Sequence, residues 1–346
     1  MRTVCKVLTL HLGGRTGACY SAIVNELLVG LLGAVLGVNQ PAAATNVPAR
    51  QASIALSVTN TNDPVEVKFK KLMDADDQAE AEVDGWIQDN RRFAAQGAGQ
   101  PDAELNKRIL ARFESVRKGY DGFLALHPDH ARAHLAYAAF LQDIKDEDAA
   151  LPHMEKSREL DPKNPAVWNN LANYYGHYGE VKKAFEYYGK AIELNPNEPV
   201  YFHNFGTTVY LFRKDAKEFY NINEQQVFDK ALELYATAMK LDPQDFPLAT
   251  DVAQTYYGIR PPRTEEALRA WTNAFSLARD DIEREGVHVH FARVKLHVGR
   301  FAEARAHLDA LTNTMYAEIK TRLTRSLRDE EEKATQTNSP PVTENK

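Results

Sequence analysis

The segment that decides the fold is Pro165 to Glu198, PAVWNNLANYYGHYGEVKKAFEYYGKAIELNPNE. Trp168, Leu171, Ala172 and Tyr175 stand before Gly179, and Ala184, Tyr188 and Ala191 stand after it. The spacing reads as two helices joined by a turn at Gly179, a residue free to adopt the backbone such a turn needs. Pro196 then stops the second helix, since proline has no amide hydrogen to continue the ladder. The Asp-Pro or Asn-Pro pair behind an apolar helix recurs at 161–162, 195–196 and 242–243, and the first two occurrences are 34 residues apart. The stretch is therefore one unit of a repeat.

The order Trp168, Leu171, Ala172, Tyr175, Gly179, Ala184, Tyr188, Ala191, Pro196 closely resembles the tetratricopeptide repeat, matching nearly every defining position. That resemblance implies an all-α fold, a right-handed superhelical solenoid of stacked antiparallel helix pairs. Carrying the register outward predicts five units, at 131–164, 165–198, 199–245, 246–281 and 285–318, with a degenerate one over 97–130. Their eighth positions hold Ala138, Ala172, Gly206, Ala253 and Ala292; their twentieth hold Ala150, Ala184, Ala231, Ala267 and Ala304. Small residues there let paired helices approach closely. Four residues later each unit has a bulky side chain: Met154, Tyr188, Tyr235, Trp271 and Leu308. Arg279 and Tyr316 replace the terminating proline in the last two units, which predicts unusual helix ends there.

One such pair buries too little apolar surface to offset the entropy of ordering its chain, so the units are expected to stack and share a core. Ahead of them, Pro64 after Asp63 suits a first helical position. Val67, Phe69, Met73, Val83, Trp86 and Ile87 then predict one long helix ending near 97–99. Leu105, Ile109, Phe113, Val116, Tyr120 and Phe123 predict a second, so that 63–130 forms an N-terminal helical hairpin. At the other end 317–333 reads as a polar helix, with Arg322, Arg325 and Arg328 before Asp329 to Glu332, and 319–333 is assigned as the C-terminal capping helix a solenoid requires. The tracts 45–62 and 334–346 read as a flexible linker and a disordered tail.

Leu27 to Val38, LLVGLLGAVLGV, is an uncharged apolar run followed by Ala42, Ala43 and Ala44. Twelve residues of helix rise about 18 Å, short of a hydrocarbon core of about 30 Å. The run and the small residues behind it resemble a secretory signal peptide spanning 1–44, although Glu26 sits where a positive charge is expected. Export to the periplasm or beyond follows from that reading, with no lasting membrane span; a retained anchor and a cytoplasmic protein are the alternatives. Both cysteines, Cys5 and Cys19, fall in this region, and the 327 residues after Cys19 have none, so no disulfide framework or cysteine nucleophile is available there.

A composition 44% hydrophobic and 26% charged is that of a globular protein, not a collagen-like, purely coiled-coil or wholly disordered chain. Forty-two basic against 48 acidic residues leave a net charge of −6, which disfavours a nucleic-acid partner. No phosphate-binding loop, H-E-x-x-H motif or G-x-S-x-G elbow occurs. His288, His290 and His297 are the best metal candidates, yet His288 and His290 would point about 200° apart on a helix, so no metal is assigned. His130 and His134 read as helix-surface residues. Asp146, Glu147 and Asp148 sit where a helix begins and suit its dipole. Trp168, Tyr175, Tyr188, Tyr235 and Trp271 are assigned to the repeat core, and no cofactor is implied.

Arrays of this kind act mostly as non-catalytic scaffolds that hold a peptide or helix in a concave groove lined by first helices. In that register the resemblance assigns to the groove Arg132, Asn169, Asn170, Asn173, His203, Asn204, Thr207, Asp251, Gln254, His290 and Arg293. Asparagine amides both donate and accept, so equivalent Asn170 and Asn204 could hold the backbone of an extended peptide; a solvated polar face is the alternative. The lysine-rich arrangement that binds a C-terminal carboxylate in some relatives is missing. The unit at 199–245 carries a 13-residue insertion, expected to lengthen both helices and project a hairpin tip of Phe219, Tyr220, Asn221 and Ile222, as a docking site or folded back on adjacent helices. The expectation is a scaffold that assembles or tethers envelope proteins, with a protein or peptide partner. An enzyme or small-ligand receptor using the groove, and a self-associating structural element, are the competing readings.

Overall fold

The computed structural model describes residues 63–94 and 96–337. The expected leader at 1–44, the linker at 45–62 and residues 338–346 of the expected tail lie outside the described residues. Among those described the protein is all-α, a TPR-like array of antiparallel helix pairs with no strand. They group into two compact units, 63–201 and 202–337.

The first unit opens with α1 (Pro64–Ala94) and α2 (Asp102–Leu126). Their seam buries Val83 and Ile87 of α1 against Leu105 and Ile109 of α2, flanked by Trp86 and Phe113. Deeper in it, the Tyr120 hydroxyl donates to Oδ2 of buried Asp76 at 2.7 Å, so the carboxylate is not left without a donor. Gly97 takes φ +77° in the connection, where the Gln100 amide donates to Asn90 Oδ1 at 2.6 Å. The pairs α3 (Ala131–Asp143) with α4 (Glu147–Leu160) and α5 (Pro165–His177) with α6 (Val181–Leu194) follow. Asn164 caps α5 by accepting from the Ala166 amide at 3.0 Å, and Pro165 occupies its first turn, where its missing amide hydrogen costs nothing. Gly179 turns the chain at φ +88°. Ala138, Ala150, Ala172 and Ala184 are all fully buried, as close helix approach demands, and Met154 and Tyr188 fill the space beside them. Trp168 departs from its core assignment: it is only partly buried, its Nε1 donates to the Pro162 carbonyl at 2.8 Å and its ring meets Tyr187 edge-on at 5.0 Å.

The second unit begins within α7 (Pro199–Leu211) and continues through α8 (Arg213–Tyr220), α9 (Glu224–Leu241), α10 (Phe246–Thr255), α11 (Thr264–Leu277), α12 (Asp281–His297), α13 (Phe301–Asp309) and α14 (Ala317–Thr337), with short 3₁₀ turns at Tyr256–Gly258 and Thr314–Tyr316. A Cβ at Gly206 would lie 3.2 Å from the Ala231 carbonyl oxygen, which is why the eighth position of this unit is glycine where others have alanine. The insertion does not lengthen both helices as expected. Only the second grows, α9 having 18 residues where α4 and α6 have 14. The first stops at Leu211, because Phe212 leaves the helical region at φ −102° and ψ 50°, and the extra residues form the separate α8. Asn221 at φ 51° ends α8, and a reciprocal cap between Asn223 and Gln226 starts α9.

The proline-less ends of the last two pairs are closed by side chains. Asp280 caps α12 by accepting from the Glu283 amide at 2.8 Å. Burial raises the Glu285 pKa, but hydrogen bonds from the amides of Asn313 (2.9 Å) and Thr312 (3.0 Å) and from the Thr312 hydroxyl (2.7 Å) outweigh it and hold the carboxyl below its ordinary range. Tyr316, buried, donates to the Ile282 carbonyl at 2.7 Å. α14 packs Ile319 and Leu323 onto Val289, Ala292 and Leu308, and runs to Thr337, past the boundary expected at Lys333. No helix among the described residues is long and apolar enough to cross a membrane.

Candidate functional site

The eleven groove-assigned residues sit on α3, α5, α7, α10 and α12, the first helices of their pairs. In the first unit Arg132 is held by α1: its Nη1 donates to Glu66 Oε2 at 2.7 Å and its guanidinium lies 5.2 Å from the Phe69 ring. On α5, Asn173 Oδ1 accepts from the Tyr188 hydroxyl at 2.6 Å, and buried Asn169 donates from Nδ2 to Asn170 Oδ1 at 3.3 Å. The three asparagines thus share one face, with Asn170 the member least engaged by its own pair.

In the second unit α7 is tied both to the next first helix and to its own partner helix. His203 Nε2 of α7 lies 3.1 Å from Asp251 Oδ2 of α10, and buried Thr207 shares a 3.0 Å hydrogen bond with the Tyr235 hydroxyl. Farther along, the Tyr257 hydroxyl is 3.0 Å from His290 Nδ1 of α12, and the His290 ring stacks on Trp271 with centroids 4.0 Å apart and planes at 10°. Burial, with a smaller contribution from Arg293, pushes the His290 pKa down to about 3, so the ring is neutral. Arg293 stands 5.6 Å over the Tyr257 ring. Tyr257 carries no groove assignment in the sequence, because it lies in the 3₁₀ turn beyond α10. Its spacing of three from Gln254 is the signal that could have found it.

The histidines are placed otherwise than their sequence neighbours suggest. His134 is buried: its Nε2 donates to the Pro128 carbonyl at 2.9 Å, which leaves Nδ1 as an acceptor 2.8 Å from His153 Nδ1. His130 caps α3 through Nδ1, 3.0 Å from the Ala133 amide. Both are therefore structural, not the surface residues expected. The metal candidates do not converge either, since His288 Nδ1 meets His307 Nδ1 at 2.8 Å, His290 faces Tyr257, and His297 is exposed at the end of α12. His307 Nε2 accepts from the Lys295 ammonium at 3.0 Å, so its Nδ1 donates to His288. The pairs His134–His153 and His288–His307 occupy the same two register positions of their units, and Trp168 and Tyr187 hold those positions in the unit at 165–198.

At the hairpin tip only Tyr220 folds back toward α9, while Phe219 and Asn221 stay exposed. Phe219 packs edge-on against Tyr220 at 4.9 Å, and Lys230 of α9 places its ammonium 4.3 Å from the Tyr220 ring. Asp146, the cap residue of α4, accepts from Arg117 at 2.7 Å.

These features define a helix-pair repeat protein with a polar first-helix face. The family model for the tetratricopeptide repeat matches residues 165–198. Over those residues the chain carries a tetratricopeptide repeat. Among curated proteins, the Photosystem I assembly protein Ycf3 of Synechococcus sp. (strain CC9605) is 29% identical over 132 residues, covering 36% of this chain and 76% of that protein. Its counterpart in Prochlorococcus marinus (strain MIT 9211) is 28% identical over 133 residues, again 36% and 76%. The solved structure of Pseudomonas aeruginosa pilF is 17% identical, with a TM-score of 0.45, covering 71% of this chain and 99% of that one.

Proposed function

We propose that the protein is a non-catalytic interaction scaffold that holds a peptide or helix of a protein partner against the polar face of its first helices, in the assembly or tethering of envelope proteins. The observation that carries this reading is the polar first-helix face within each unit. Asn169, Asn170 and Asn173 on α5, and His203, Asn204, Thr207, Asp251, Gln254, His290 and Arg293 in the second unit, stand at the positions the repeat assigns to ligand contact. The assembly role named for the Photosystem I relatives supports it by likeness. Export of the chain, with 1–44 removed, is part of the proposal, and N-terminal sequencing of the protein from its host tests it: an intact Met1 in a soluble fraction overturns export.

Affinity capture from the host with the wild-type chain and with Asn170→Ala/Asn204→Ala tests the scaffold. A defined protein retained by the first and depleted at least tenfold by the second, at equal helicity, supports it. Turnover of a small molecule without any retained protein overturns it in favour of an enzyme.

A further inference from the structure

Four polar atoms of the second unit are buried without a hydrogen-bond partner among the described residues: Gln254 Nε2, Trp271 Nε1, His290 Nε2 and Arg293 Nη1. Buried polar atoms are nearly always satisfied, so a cluster of four asks for an explanation. The side chains of Gln254, Trp271 and His290 are at least nine-tenths buried, at 6%, 0% and 2% exposure. They belong to one constellation. Trp271 and His290 stack, Tyr257 bonds His290, Arg293 covers Tyr257, and Gln254 stands one turn before Tyr257.

The sign of the missing partner follows from the atoms. An indole Nε1, an amide Nε2 and a guanidinium Nη1 can only donate, and His290 Nε2 also donates when the Tyr257 hydroxyl gives its proton to Nδ1. The partner must therefore be an acceptor. Arg293 makes no ion pair with a carboxylate among the described residues, and Arg322 adds a second positive charge to its surroundings, so an anionic acceptor fits better than a neutral one. A planar carboxylate suits a guanidinium fork set beside the flat indole–imidazole stack.

We infer that Gln254, Trp271, His290 and Arg293, with Tyr257 orienting His290, form a subsite for the carboxylate of an aspartate or glutamate side chain in the partner peptide. This rests on the scaffold reading and adds the chemistry of the partner to it. Arg293 is the outermost member and keeps partial exposure, so its flexible side chain swings aside to admit the carboxylate and closes on it.

The test uses the full chain and two probes with amidated C-termini, a hexapeptide of glutamate and one of glutamine. The readouts are calorimetry and the Trp271 indole N–H resonance, assigned by its disappearance in Trp271→Phe. The glutamate peptide should bind and move that resonance, the glutamine peptide should not, and Arg293→Gln should weaken binding at least tenfold at an unchanged melting temperature. Should Arg293→Gln melt lower, Trp271→Phe, which keeps an aromatic ring and removes one donor, serves as the second variant and should weaken binding severalfold at a temperature where circular dichroism shows it folded. A glutamate peptide that binds only with a free C-terminus overturns the side-chain assignment. So does equal binding of the two peptides, or no shift at millimolar peptide. If the peptides fail while the chain still captures its partner, the subsite falls and the scaffold stands; if capture fails too, both fall.

Discussion

At the scale of single residues, the histidines carry the protein's response to acid. Burial pushes His153 and His307 down to about 4 and His290 to about 3, and lowers His134 and His288 as well. Each imidazole is near 6.5 in an unfolded chain, so between about pH 6.5 and pH 4 the unfolded state binds protons that the folded state refuses. Stability is therefore full above that window and falls as pH drops through it. Each Nδ1–Nδ1 contact also needs one unprotonated nitrogen, and a doubly protonated pair would set two donors face to face. Thermal melts from pH 7.5 to 4 should show a melting temperature that declines by several degrees below pH 6.5, with a shallower slope in His153→Phe/His307→Phe. A flat profile in the wild type would contradict the buried neutral pairs. None of this was legible in the sequence, where His134 looked like a surface residue: the His153 nitrogen it meets becomes a neighbour only once α3 and α4 lie side by side.

Among the elements, the alanines decide how closely helices pair. Ala172 and Ala184 are fully buried between α5 and α6, and Gly206 serves the same contact between α7 and α9, where even a Cβ would crowd the Ala231 carbonyl. Ala184→Trp should overpack the first of these contacts and cost about 1 to 3 kcal/mol, read from the denaturant midpoint. An unchanged midpoint would argue that the contact is loose. Helix starts and turns were legible because their signals are local: Pro64 and Pro165 open helices, and Gly179 turns the chain at positive φ. The insertion was not. Its length was plain in the register, but whether α7 would run on or stop depended on the backbone at Phe212, for which neither proline nor glycine gives notice. Tyr257 escaped for a related reason, since α10 ends in a 3₁₀ turn that moves it onto the face lined by His290.

For the molecule as a whole, each of the two units has its own core, and no helix pair stands on its own apolar surface. The sharpest consequence concerns residues 165–198. Although they match the repeat model over their full length, Val167, Leu171 and Phe185 are buried at 0–2% exposure, more apolar surface than two 13- and 14-residue helices can cover alone. A peptide of 165–198 should therefore be largely unfolded by circular dichroism at 25 °C, while the full chain melts cooperatively. A folded isolated unit would break the nearest-neighbour account. What the amino-acid order determined unaided is the all-α class, the helix-pair period and the small and bulky positions, because caps, turns and apolar spacing act within a few residues of one another. Only the tertiary structure decided which polar groups meet, as in the stack of Trp271 on His290 and the His134–His153 bond, because those partners lie 19 residues apart in sequence and share an environment only after the helices have packed.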